Sequence, residues 1–380
     1  MKPRVGRIVS GVVVAIALLV PVGAVAQPPP LPCTEGTLPS GAKSLICLPP
    51  VGWNQQLVVY APGYAAPGPL LNFHDLTLGG VNLPALVLSQ GYAFATTSYR
   101  QNGLAILEGI EDIRELVTAF DVVPRPLPLL RTFMTGGSEG GLVAALLLER
   151  SPEMFSSGLA ACGPVGTFRG QVNYVGDFRV LFDYFFPDVI PGSAIDIPFD
   201  VVLEWGTKYL PEALKALQAN PTRALELMRT SGAAYDPANA VATIGETAAQ
   251  LLTYNVISTT DAALKLGGNP YGNKFKLYLG SSNDLRLNLR IERFAASAAA
   301  VAEMKKYETT GNLTRRLVTL HTTADGLVPF VHEPIYLAKV LLTGHSGLVP
   351  LPVNRYGHCN FNANELLTAF ADGAVTMLTA

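Results

Sequence analysis

The chain has 380 residues, of which 49% are hydrophobic and 15% charged, with 27 Lys and Arg against 29 Asp and Glu for a formal net charge of −2. So many apolar and so few charged residues exclude intrinsic disorder, a coiled coil and a charged tail, and the balanced charge leaves no electrostatic footprint for nucleic acid. The length suits one large domain or two ordinary ones.

Residues 1–26 read as a secretory signal: Lys2, Arg4 and Arg7 precede an apolar run from Val12 to Val22, and Ala24-Val25-Ala26 offers a small-residue cleavage site. The competing reading is a membrane anchor, but the run is shorter than the ~20 residues that span a bilayer. No other stretch is long and charge-free enough to span, so the expected location is secreted or periplasmic, without stable membrane insertion after cleavage. Four cysteines suit an oxidising compartment. Cys33 and Cys47 flank the turn-rich Thr37-Leu38-Pro39-Ser40-Gly41 and pair across an N-terminal hairpin, which leaves Cys162 with Cys359; free buried thiols are the alternative. There is no CxxC and no histidine cluster, so neither a metal nor another cofactor is expected.

From residue 27 onward a Pro-rich spacer gives way to short apolar runs alternating with helical patterns. Strands are predicted at 57–60, 92–97, 132–135, 157–161, 317–320 and 349–353. These runs lack strict alternation, as strands covered on both faces do. Helices are predicted at 83–89, 105–120, 139–150, 333–342 and 362–378. This order predicts an α/β, mostly parallel, doubly wound sheet. Strand spacing disappears at 168–315, where helical patterns at 212–217, 222–229, 243–252 and 291–307 predict a helical lid, too long for a structureless loop. The expected organisation is a first core part at 27–167, the lid at 168–315 and a second core part at 316–380. A separate C-terminal domain is the rival reading.

Gly136-Gly137-Ser138-Glu139-Gly140-Gly141 lies between a predicted strand and a predicted helix, the setting of a nucleophile elbow. A serine hydroxyl needs a neighbouring base. His358, in the loop after the last strand, is placed for that role. His321 reads as a packed wall residue, and His74, His332 and His345 as solvated or capping residues. Asp325, after the penultimate strand, would orient the imidazole, with Asp284, after the strand-like 276–279, as its competitor. The oxyanion donors would be the backbone N–H of Glu139 and, from Ala61-Pro62-Gly63-Tyr64, that of Tyr64.

The motifs around Ser138, Thr319-Leu320-His321-Thr322-Thr323-Ala324-Asp325-Gly326-Leu327-Val328-Pro329 and Gly357-His358-Cys359-Asn360-Phe361 together resemble those of secreted bacterial α/β-hydrolases of the prolyl-oligopeptidase-like kind, with features of tannases and feruloyl esterases. The resemblance implies the α/β-hydrolase fold, a triad of Ser138, Asp325 and His358, and an acyl-enzyme mechanism. Tannase-like enzymes bridge a cysteine beside the nucleophile to one beside the histidine. Here Gly137 precedes Ser138, so Cys162 takes the place of that partner for Cys359. No propeller repeat precedes the core.

The expected activity is hydrolysis of carboxylic esters, with a small-molecule or polymer ester as substrate. Aromatic residues at 172–198 suit an apolar or aromatic group, although the lid's own core accounts for most of them. An aminopeptidase-like enzyme with the same triad, using Glu204, Asp188 or Asp284 for an α-ammonium, is the alternative, and a non-catalytic binding protein is the third reading. Oligomeric state is left open.

Overall fold

The computed structural model describes residues 31–74 and 76–374. The chain divides into two units between Leu31 and Pro32, and among the described residues every strand and helix belongs to the unit that begins at Pro32. The expected signal segment and the end of the expected C-terminal helix lie outside the described residues.

Eight strands form the main sheet: β1 (Cys33–Thr37), β2 (Lys43–Cys47), β3 (Gln56–Ala61), β4 (Ala93–Thr97), β5 (Arg131–Gly137), β6 (Ser157–Ala161), β7 (Arg316–Ala324) and β8 (Leu348–Tyr356). Their spatial order is β1-β2-β4-β3-β5-β6-β7-β8. The pairs β1–β2 and β2–β4 are antiparallel, and the other five are parallel. A mostly parallel sheet in this order, with helices on both faces, is the α/β-hydrolase fold.

Alternate residues of one strand feed opposite layers, as the two-residue period requires. On β3, Leu57 and Val59 pack with the helices Ile106–Asp121 and Glu139–Arg150. Tyr60 packs toward Leu83, Phe361 and Leu366 on the other face. Residues 317–320 and 349–353 lie within β7 and β8 of the same sheet, so the chain returns to the first core rather than starting another.

Between β6 and β7 the chain is helical: Phe168–Phe185, Leu210–Ala219, Pro221–Ser231, Ala240–Lys265, Asp284–Arg290 and Ala298–Met304 are its main helices. It has its own apolar cluster, built around Phe178, Phe182, Leu227, Leu251 and Tyr278. Three expectations are corrected here. The 243–252 pattern extends over the longer Ala240–Lys265, and only the second half of 291–307 is helical. Residues 276–279 form no strand, because the Asn288 side chain accepts from Tyr278 N–H and donates to its carbonyl, occupying both groups a ladder would need.

Cys33 bonds Cys47 across a register pair of β1 and β2, and Cys162 bonds Cys359. Among the described residues, no helix is long and apolar enough to cross a membrane.

Candidate active site

β5 ends in Gly136-Gly137, and the helix Glu139–Arg150 starts one residue later. Ser138 forms the apex between them at φ 54°, ψ −123°, a conformation that costs a non-glycine residue free energy. The turn is tight enough that a Cβ at Gly136 would come within 2.0 Å of the Gly140 carbonyl oxygen. A Cβ at Gly140 would come within 2.0 Å of the Ala61 carbonyl oxygen. Glycine is therefore required at both positions by sterics.

The structure brings Ser138, His358 and Asp325 into one hydrogen-bonded chain. Ser138 Oγ lies 2.9 Å from His358 Nε2, and His358 Nδ1 lies 2.7 Å from Asp325 Oδ2. Asp325 Oδ1 accepts from the N–H groups of Leu327 and Val328, each at 2.9 Å. A carboxylate accepting at Nδ1 fixes the tautomer that leaves Nε2 free to receive the serine proton. Burial alone would raise the Asp325 pKa, but His358 and His321 hold it well below the usual carboxylate range.

Neighbouring elements hold both loops. Thr322 Oγ1 donates to the Gly357 carbonyl at 2.6 Å. Tyr356 Oη donates to the Thr243 carbonyl at 3.0 Å. Tyr174 Oη donates to the Gly326 carbonyl at 2.7 Å, and Gln171 Nε2 to that of Leu327 at 2.9 Å. The helical insertion thus braces the loops carrying Asp325 and His358 as well as covering the site. The Cys162–Cys359 bridge ties the residue after β6 to the residue after His358, and Cys359 Sγ lies 3.4 Å from His358 Nε2. Both cysteines have positive φ, 47° and 49°. At Gly137 a Cβ would come within 3.0 Å of Leu78 and of Tyr60 Oη.

Ser138 stands between two cavities. One, of about 140 Å³, is mainly apolar and lined by Phe168, Val172, Val175, Tyr254 and Leu327, with Glu139 and Tyr64 near the serine. The other, of about 470 Å³, is more polar and lined by Thr77, Glu246, Tyr356, His358 and Asn360. Tyr64 and Tyr254, with rings 5.3 Å apart, belong to both walls. His358 belongs to the polar cavity.

Glu139 is the first residue of its helix, where backbone N–H groups have no intrahelical partner. Its carboxyl sits in the apolar cavity near Tyr64, and burial pushes its pKa up to about 8, partly countered by the Ala105 N–H. Tyr64 lines the same space.

The remaining histidines divide. His321 is wholly buried in β7. Its Nδ1 lies 3.1 Å from Glu333 Oε1, its Nε2 2.9 Å from the Val328 carbonyl oxygen and 3.4 Å from Asp325 Oδ2. Thr319 Oγ1 donates to Glu333. Burial would lower the His321 pKa, but Asp325 and Glu333 raise it to about 9. No motif marks Glu333 in the sequence. His332 is not solvated: it is 2% exposed, accepts from Thr167 N–H and pairs with Gln171, and burial lowers its pKa to about 3. His74 Nε2 lies 3.0 Å from the Gly63 carbonyl oxygen, on the loop before Tyr64. His345 is near Thr343 at the surface. Asp284 accepts from Ser281 at the start of a helix in the insertion, Glu204 pairs with Lys208, and Asp188 is exposed. None of these three lines either cavity beside Ser138.

No protein-family model and no curated protein matches the chain. Among solved structures, it is similar to an esterase of Pyrococcus furiosus at 11% identity and a TM-score of 0.47, over 91% of this chain and 90% of that one. It is also similar to feruloyl esterase B of Aspergillus oryzae, at 14% identity and 0.47, over 86% and 73%. A third is the acylaminoacyl peptidase of Pyrococcus horikoshii, at 11% and 0.46, covering 90% of this chain. The chain spans about 41% of the length of that peptidase.

Proposed function

We propose that the protein is a serine hydrolase of carboxylic esters, working outside the reducing cytoplasm. The observation that carries this reading is the Ser138–His358–Asp325 hydrogen-bond chain at the junction of an apolar and a polar cavity. His358 takes the Ser138 proton as the oxygen attacks the ester carbonyl. The N–H groups of Glu139 and Tyr64 receive the oxyanion. The acyl part lies in the narrow apolar cavity and the alcohol part in the polar one, on the side of His358, which returns its proton to the leaving oxygen. Water then repeats the steps in reverse sense, and the acid is released. Two disulfides among the described residues support the oxidising compartment.

The apolar lining supports an aliphatic or aromatic acyl group. The peptidase alternative lacks support from Glu204, Asp188 and Asp284, which lie away from the cavity walls. The test is turnover of p-nitrophenyl esters beside aminoacyl p-nitroanilides, with fluorophosphonate labelling. Ester turnover and labelling are expected for the native chain and absent from Ser138→Ala. Anilide turnover without ester turnover would favour the peptidase. An unlabelled native chain with no turnover of either would overturn both.

A further inference from the structure

Residues 274–293 of the insertion carry an unusual surface. Phe275, Leu277, Leu279, Leu285 and Leu289 are each between 66% and 90% exposed. Scattered exposed leucines need no explanation, but a contiguous group of large apolar side chains marks an interaction site.

Contiguity follows from the local structure. Phe275 stands in the turn closed by Lys276 N–H on the Asn273 carbonyl; beyond it Tyr278 is buried and Lys276 turns to the buried Asp177, while Leu277 and Leu279 face out. Asn288 grips the backbone of Tyr278 at 2.9 and 2.6 Å, which seats the helix Asp284–Arg290 against this run. Leu285 and Leu289, four residues apart, share a helix face, and Leu285 stands one turn before Asn288, whereas Leu287 is buried. Arg293 donates to the carbonyls of Asn273 and Lys276, and Tyr278, Leu287 and Ile291 join the apolar cluster of the insertion. The exposed side chains therefore stand on a fastened base.

The charge carried by the segment itself is one-sided. Residues 274–293 hold five Lys and Arg against two acidic residues, in a chain whose net charge is −2. Asp284 is occupied by Ser281. Lys274, Arg286 and Arg290 are exposed, and the Lys274 ammonium lies 5.5 Å from the Phe275 ring centre.

We infer that this face docks the protein on an anionic lipid bilayer, with the Phe and Leu side chains entering the interfacial layer and the three cations meeting lipid headgroups. Apolar residues rimmed by Lys and Arg are the composition that binds such surfaces. A second copy of the chain fits less well, because a two-fold contact would set like charges against each other. This inference stands apart from the hydrolase reading, and its test needs no turnover.

The experiment is co-sedimentation of the full chain with phosphatidylcholine vesicles, with and without phosphatidylglycerol, at low salt. Binding is expected with phosphatidylglycerol only, and to weaken with salt. Replacing both arginines, Arg286→Gln with Arg290→Gln, should weaken it about thirtyfold. Leu285→Ser with Leu289→Ser should weaken it about tenfold per leucine. All four side chains are exposed, and unchanged thermal unfolding verifies the fold of each variant. Three results would overturn the inference: no binding to anionic vesicles, equal binding to both vesicle types, or binding that both variants retain. A concentration-dependent dimer abolished by the leucine variant, without vesicle binding, would assign the face to a second copy instead.

Discussion

His321 places a second imidazole against the carboxylate that serves His358. Its raised pKa, about 9, leaves it charged at neutral pH between Asp325 and Glu333. Other titratable groups near this cluster are His332, whose pKa His321 helps to depress, Tyr174 and Tyr356, which face Asp325, and Tyr336, which faces Glu333. A positive charge there opposes the second positive charge that His358 gains in acyl transfer. His321→Gln should therefore move the acid limb of kcat/KM to higher pH. Glu333→Gln removes a partner that sustains the His321 charge and should move the limb the same way, by less. A displacement of about half a pH unit for His321→Gln, and a smaller one in the same direction for Glu333→Gln, is expected in pH–rate profiles; a merely structural role would lower the rate without moving the limb. The same group affects stability. Its folded pKa lies above the ordinary 6.5, so its stabilisation is full below that value and lost as pH rises through about 9. Thermal unfolding should track this window in the native chain and lose that dependence in His321→Gln. Ser138, Asp325 and His358 were legible in the sequence because each sits in a short motif at the end of a strand. Glu333 was not, since it meets His321 only when a helix folds back on β7. Nor was the burial of His332, which depends on partners at 167 and 171.

At the scale of elements, the elbow and the loop after β3 are joined by a single close approach. With no Cβ at Gly140, the helix N-terminus can meet the end of β3, and the next residues of that strand's chain are Pro62-Gly63-Tyr64. Gly140→Ala must displace either the helix or this loop, because the obstructing atom is backbone. The proposed oxyanion donors, Glu139 N–H and Tyr64 N–H, would then move apart. The expected result is a fall in kcat of about a hundredfold, the order of one lost oxyanion donor. KM for a small ester should change far less, as steady-state kinetics would show. Destabilisation of about 1–3 kcal/mol, the usual cost of overpacking, should accompany it in denaturant unfolding. The parallel strands were readable as apolar runs because both faces of the sheet are covered. The run at 276–279 has the same look, yet one asparagine side chain satisfies the backbone of Tyr278 and no neighbouring strand is present among the described residues. Apolar pattern reports burial, whereas a strand also requires a partner, and the partner is not written in the local sequence.

The molecule as a whole divides the candidate site between its two parts: the core supplies Ser138, Asp325 and His358, and the insertion supplies much of the wall of the apolar cavity beside them. The spacing of the first and last strands made this division visible in the sequence. It did not reveal that the helices Phe168–Phe185 and Ala240–Lys265 also hold the loops of the triad through Tyr174, Gln171 and Thr243. Val175 offers a way to separate the two tasks, since it lines the apolar cavity and is not among these bracing residues. Val175→Phe should shorten the cavity while leaving the Ser138–His358–Asp325 chain in place. Each methylene of acyl chain denied burial forfeits about 0.8 kcal/mol, or about fourfold in kcat/KM. Acetyl esters should therefore be hydrolysed at nearly the native rate, and the deficit should grow with each added carbon in a p-nitrophenyl ester series. A uniform loss at every chain length would mean that the substitution had disturbed the braced loops. An unchanged profile would place the acyl group in the polar cavity instead.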